Sequence, residues 1–328
     1  MKKNLMKLGL ITLSLTIMLG VSACQKTEAP KTEVPAATTT EVATETIATK
    51  VIEDGAAGNY VNAVSLQENL ANVVVIDARD SKEYKLGHVP GAINITWQML
   101  SNMAPKQSEV GWGVVLGKDE LAAKIGSFGI DGTKDIVVYN DPKGLGEEGR
   151  VLWMLRVAGI NNSKLLNGGY PAWLELKGET SKDAPVITAA NFTIAAYDDS
   201  RIATTDYVKE NLSKVKLVDT RSPEEFNGTM NHGENYKGEK ALGHIPGAVH
   251  LQYSDLYNVD GTIKSIADLK TTFEAIGIKP EDEIITYCTV GIRSGFTAEI
   301  LKMAGYNNAK NYNASFSEWA GTGNTYEK

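Results

Sequence analysis

The 328-residue chain has only two cysteines and four histidines. Two cysteines cannot build a disulfide framework, and the scattered histidines show no metal-ligand spacing. Positive charge is also short: 33 basic residues face 40 acidic ones, for a net charge of −7. Nucleic-acid partners are bound by neutralising phosphates, so this balance argues against them. Long apolar runs are missing too. The mostly apolar stretch from Leu8 to Leu19 is too short to span a bilayer comfortably.

What stands there instead is a leader. Lys2, Lys3 and Lys7 precede the apolar stretch, and small residues close it at Ser22-Ala23, so residues 1–23 read as a cleaved signal. Val21-Ser22-Ala23-Cys24 resembles a bacterial lipobox, in which Cys24 carries lipid and holds the protein on an extracytoplasmic membrane face. Losing the leader removes three lysines and no acid, which takes the charge from −7 to −10. An anionic substrate then needs a local positive site. Residues 24–57 are rich in Thr, Glu, Ala and Pro, and from Gln25 to Ile52 they contain no aromatic residue and no glycine, as expected of a disordered tether.

The remainder is an internal duplication. Val73-Val-Val-Ile-Asp-Ala-Arg79 matches Lys216-Leu-Val-Asp-Thr-Arg221, and Leu86-Gly-His-Val-Pro-Gly-Ala92 matches Leu242-Gly-His-Ile-Pro-Gly-Ala248. Asp135–Asp141 matches Glu283–Thr289, and Asn167–Trp173 matches Asn313–Trp319, all in one order. Two homologous domains follow, at 58–180 and 200–328, with a linker at 181–199. All-apolar runs at Val73–Ile76, Ile136–Tyr139 and Ile284–Tyr287 predict buried parallel strands. Helical patterns alternate with them at Lys118–Phe128, Val151–Ala158, Ile266–Ile276 and Ser294–Ala304, followed by Gly129, Gly159, Gly277 and Gly305. The fold class is therefore α/β, each domain a parallel sheet flanked by helices on both faces.

With Cys24 assigned to lipid, Cys288 is alone. It directly follows a predicted strand, where ligands of parallel sheets bind. Tyr287-Cys288-Thr289-Val290-Gly291-Ile292-Arg293-Ser294 passes from that strand into a helix. Backbone N–H groups and the positive helix end can converge there and lower a thiol pKa, and Arg293 adds fixed charge. Cys288 is the candidate nucleophile, and residues 289–294 are candidate substrate contacts. In the first domain the matching position is expected to hold Asp141, which cannot carry sulfur.

Both halves resemble rhodanese domains, and the pair resembles the two-domain sulfurtransferases. The residues behind this are Asp77 with Arg79, Asp219 with Arg221, the two Gly-His-[Val/Ile]-Pro-Gly-Ala segments, and Cys288 opening its loop. The resemblance covers nearly everything from residue 58 onward. It implies a Cys288 persulfide, filled by a small anionic donor such as thiosulfate and emptied by a thiol or cyanide. It implies no metal or organic cofactor, and only the second domain active, with the first walling the cleft. Thiosulfate-type members resemble Cys-Arg-Lys-Gly-Val-Thr and mercaptopyruvate-type members Cys-Gly-Ser-Gly-Val-Thr; Thr289 and Val290 match neither. Where both types often carry a further arginine this chain has Glu225, and Arg293 is expected to compensate, as in many single-domain rhodaneses.

Two rivals differ in class. Cell-cycle dual-specificity phosphatases share the strand–Cys–loop–Arg–helix order, but place five residues between Cys and Arg where this chain has four, Thr289 to Ile292. A persulfide carrier or redox-sensing lipoprotein would use the same cysteine without turnover. Several other residues read as structural. His88 and His244 occupy identical repeat contexts although only one half has the cysteine. Arg221 duplicates Arg79, so a place at the cleft is its second reading. Gly144-Leu-Gly-Glu-Glu-Gly149 mimics a dinucleotide fingerprint, but Glu147 and Glu148 would repel a pyrophosphate. Trp97, Trp112, Trp173 and Trp319 read as packing, and His232 falls in a surface insertion, Thr229–Lys240.

Overall fold

The computed structural model describes residues 59–230 and 237–328. The leader, Cys24, the tether and His232 lie outside the described residues. No helix among the described residues is long and apolar enough to cross a membrane.

Among the described residues, ten short strands form two sheets. The first contains β1 (Tyr60–Val61), β2 (Val74–Asp77), β3 (Ile93–Asn94), β4 (Ile136–Tyr139) and β5 (Ser163–Leu166). The second contains β6 (Ile202–Ala203), β7 (Lys216–Asp219), β8 (Val249–His250), β9 (Ile284–Tyr287) and β10 (Ala309–Tyr312). Strand order is β1-β5-β4-β2-β3 in one and β6-β10-β9-β7-β8 in the other, and every neighbouring pair is parallel. One plan is therefore used twice, as the repeat requires. The central strands β4 and β9 are buried along their whole length, which is why they read as apolar runs, broken in β9 only by Thr286, whose hydroxyl donates to the Ser294 carbonyl.

Local signals set the helices between the strands. Asn62, Thr204, Ser222 and Ser265 each accept a backbone N–H at a helix start. Gly129, Gly159, Gly277 and Gly305 follow helix ends with positive φ. The helix expected from Val151 begins earlier, at Glu147, and the one expected from Ser294 begins at Ile292. In both, a left-handed glycine N-cap, Gly146 or Gly291, admits polar residues into the first turn.

These two helices join the halves. Both are buried nearly all round, and a single apolar core runs through their contact from one domain to the other. Gly146 and Gly149 let Phe296 approach so closely that a Cβ on either would meet its side chain at 2.9 or 2.6 Å. Arg156 pairs with Glu299 at 2.6 Å, and Arg201 pairs with the other oxygen at 2.9 Å. Two of the three fingerprint-like glycines, Gly146 and Gly149, thus serve helix packing. Residues of the 181–199 segment lie along the first domain: Ser181 bridges to His88, Ala190 N–H donates to the Gly126 carbonyl, and Ile194 is buried.

Candidate active site around Cys288

β9 delivers Cys288 to the carboxyl edge of the second sheet, where it is 1% exposed. Its N–H donates to Ser315 Oγ at 3.1 Å, and its carbonyl accepts the Phe316 N–H at 3.1 Å. Ser315 sits at φ +58, a region costly for a residue with a Cβ, and its hydroxyl also donates to the Tyr312 carbonyl at 2.7 Å. Both hydrogen bonds offset that strain.

The loop closes on the sulfur. Gly291 N–H donates to Cys288 Sγ at 3.1 Å, and Ser294 Oγ lies 3.7 Å from it. Gly291 has φ +88, and a Cβ there would stand 2.3 Å from the Asn313 carbonyl oxygen, so only glycine makes this turn. Val290 is half-buried against the core, and Ile292 is buried. Burial pushes the Cys288 thiol up. The Arg293 charge, the Ser294 N–H and hydroxyl and the Val290 N–H outweigh it, leaving the thiol below its ordinary value.

Arg293 does not stand free. Its guanidinium forks onto Glu225, Nη1 to Oε2 at 2.6 Å and Nη2 to Oε1 at 2.9 Å. Thr289 Oγ1 donates to Glu225 Oε1 at 3.0 Å and accepts from Arg293 Nη2 at 2.8 Å. Glu225 also completes a capping box with Ser222. Burial would raise the Glu225 carboxyl, but Arg293 and its other donors hold it down at about 2. The expectation that Arg293 compensates for the missing arginine therefore needs correction: Glu225 neutralises much of that charge, and Thr289 faces Glu225.

Arg221 is committed elsewhere. Nε and Nη2 bond Asp219, Nη2 also donates to the Gly243 carbonyl at 2.7 Å, and the guanidinium lies over the Phe316 ring. Arg79 repeats this with Asp77, Gly87 and Tyr170. The histidines also face backbone: His88 Nδ1 lies 2.9 Å from the Tyr84 carbonyl, and His244 Nδ1 lies 2.9 Å from that of Phe226. Trp173 and Trp319 are buried, each donating to a backbone carbonyl.

The residue at Cys288's place in the first domain is Asn140, a correction to the expected Asp141. Sheet register decides it, because Asp77 pairs with Tyr139 as Asp219 pairs with Tyr287, making Asn140 and Cys288 the first residues past their strands. The Asn140 carbonyl accepts the Tyr170 N–H, just as that of Cys288 accepts from Phe316.

The first domain also reaches over the second. Val115 N–H donates to Asn313 Oδ1 at 2.9 Å and Gly111 N–H to Glu318 Oε2 at 2.7 Å. Sequence reading missed Glu225 as a site residue, Ser315, Asn313 and Arg150. Serine where the repeat has Gly169 was a signal for Ser315.

The rhodanese-like domain family matches residues 62–176 and 204–322. A sulfur carrier protein of Thermus thermophilus, TtuD, is 32% identical over 266 residues, 77% of this chain and 89% of the relative. A thiosulfate sulfurtransferase of Pseudomonas aeruginosa is 31% identical over 253 residues, 75% of this chain and 88% of the relative. The anaerobic ergothioneine biosynthesis enzyme from Chlorobium limicola shares the fold, with TM-score 0.72 at 21% identity, over 84% of this chain and 71% of that one. The chain belongs to the rhodanese-like family, as a two-domain transferase of the sulfurtransferase kind.

Proposed function

We propose that Cys288 carries sulfane sulfur as a persulfide from a small anionic donor, such as thiosulfate, to an external thiol or cyanide. The observation that carries this is the Gly291 N–H on the sulfur of a thiol held below its ordinary pKa, at the head of the Ile292–Met303 helix. The thiolate attacks the outer sulfur of thiosulfate. A new S–S bond forms to Cys288, the donor S–S bond breaks, and sulfite leaves with its electron pair. Loop N–H groups hold the negative charge on the persulfide. Cyanide or a thiolate then attacks the outer sulfur, and the Cys288 thiolate returns. Cys24, the only other cysteine, is read as lipidated, so an outside acceptor completes the cycle.

Two observations bear on the rivals. Four residues between Cys288 and Arg293 make a tight cradle for phosphate, and both Arg293 Nη atoms bond Glu225, which disfavours the phosphatase reading. The Glu225 pairing also weakens the pull on a dianion, which leaves a persulfide-carrier role as the second reading, in keeping with the name of the Thermus relative. Steady-state thiocyanate formation from thiosulfate and cyanide tests turnover. Parallel double-reciprocal lines support the cycle. A single stoichiometric transfer favours the carrier, and phosphate release from a phosphoester would contradict both.

The lipid anchor on Cys24 is part of the same proposal. Labelled palmitate entering the wild-type protein and not Cys24→Ala supports it, and labelling of neither would overturn it.

A further inference from the structure

Arg150 lies on the Glu147–Val157 helix of the first domain, and its side chain is fully buried. Its charge has no carboxylate partner among the described residues. Nη1 donates to the Gly291 carbonyl at 3.1 Å, and Nη2 donates to the Gly113 carbonyl at 2.9 Å and to Asn313 Oδ1 at 3.4 Å. The guanidinium lies over Trp153, 4.7 Å from the ring centre, and Nε has no partner. Isolating a cation this way is costly, and buried charges ordinarily have counter-ions. The buried Arg156 and Arg221 and the half-buried Arg293 follow that rule: Arg156 has Glu299, Arg221 has Asp219, and Arg293 has Glu225.

The group Arg150 grips is the one that turns toward the sulfur. Gly291 directs its N–H at Cys288 Sγ, and its carbonyl, one peptide plane on, accepts from Arg150 and from the Gly295 N–H at 3.1 Å, so Arg150 helps to restrict the turn that aims the N–H. Asn311 Nδ2 supports the same carbonyl at 3.2 Å. Burial pulls the Arg150 guanidinium down to about 9, and the Cys288 thiolate acts in the opposite sense.

We propose that Arg150, contributed by the first domain, is a positioning residue of the sulfur site: it holds the Gly291 carbonyl so that the Gly291 N–H stays on the Cys288 sulfur, and it takes the anionic sulfur as its counter-charge. The proposal rests on Cys288 being the sulfur-carrying nucleophile. It gives the first domain a part in the chemistry beyond walling the cleft.

The test is the pH midpoint of Cys288 alkylation by iodoacetamide in the full chain, read beside kcat for thiosulfate and the melting temperature. Arg150→Met is expected to raise the midpoint by about one unit, about tenfold less thiolate at neutral pH. Arg150→Lys is expected to keep the midpoint near wild type while kcat falls several-fold, because one ammonium cannot bridge both carbonyls. Arg156→Met, which breaks a junction ion pair away from the loop, is expected to lower the melting temperature alone. A Met variant with a wild-type midpoint overturns the proposal. If the Met variant does not fold, Arg150→Lys decides: unchanged kcat and midpoint overturn it. Alkylation needs no sulfur donor, so this readout stands even where no persulfide forms, an outcome that would count against the proposed function.

Discussion

The Asn140 and Cys288 loops leave equivalent strands of equivalent sheets, yet they close differently. From Cys288, three residues reach the left-handed N-cap Gly291, whose N–H falls on the sulfur. From Asn140 the chain takes six to reach Gly146, and the slack is bound internally. Glu147 accepts from Asn140 Nδ2 at 2.6 Å and from the Leu145 N–H at 2.7 Å, and the Gly144 N–H donates to the Asp141 carbonyl. Two helix positions past each glycine cap stands Glu148 in one half and Arg293 in the other, so the first helix start carries acid where the second carries base. Glu83 and Glu225, each four residues beyond the paired arginine, part likewise: Glu83 is exposed, while Glu225 is 2% exposed and bound to the loop. The first half keeps an open cleft of about 270 Å³ beside Arg79, Asp141 and Tyr170. A duplicated fold therefore supplies a strand end and a helix start, and loop length with a few charges decides whether a nucleophile results.

The comparison breaks most sharply at the two leading residues. Cys288→Ser is expected to lower sulfur transfer by about 10³-fold or more, because the proposed covalent intermediate is lost. Asn140→Cys in that background is expected to restore nothing, since its loop is three residues longer and carries Glu148 in place of Arg293; thiocyanate release measures both. Next come the paired glutamates. Glu225→Ala leaves the half-buried Arg293 without its carboxylate and is expected to cost about 3 kcal/mol by denaturant unfolding, whereas Glu83→Ala should stay within about 0.5 kcal/mol.

A smaller effect belongs to pH. Burial raises the Glu148 carboxyl to about 7, with Tyr257 hydroxyl donating to one oxygen and the other unpartnered. A folded-state value above the unfolded one means stability declines as pH rises from about 4.5 to about 7, then levels off. Glu148→Gln is accordingly expected to raise the melting temperature more at pH 8 than at pH 5. The smallest effect is at Ser315. Ser315→Ala should cost about 1 kcal/mol from the lost Cys288 N–H bond, and Ser315→Gly less, because relief of positive φ offsets part of it. Thermal melts separate the two.

Much of this was legible in sequence. Short, largely apolar runs pointed to the central strands, glycines marked the helix ends, and the repeat predicted that one topology occurs twice. Strand–Cys–loop–Arg–helix order pointed to Cys288. What stayed hidden was long-range or register-dependent. Glu225 lies 68 residues from Arg293, and Arg150 lies 141 from Gly291, so no local pattern links them. Asn140 rather than Asp141 at the position of Cys288 was already implied by the match of Asp135–Asp141 to Glu283–Thr289, and strand pairing settles it. The tight left-handed turn at Ser315 was signalled only by its repeat partner Gly169, also at positive φ.

Intact mass after exposure to thiosulfate, without acceptor, tests the central claim most directly. A gain of about 32 Da, one sulfur, that cyanide removes and that is missing in Cys288→Ser is the predicted result. No gain with thiosulfate or any other sulfane donor, or a gain that survives in Cys288→Ser, would contradict it.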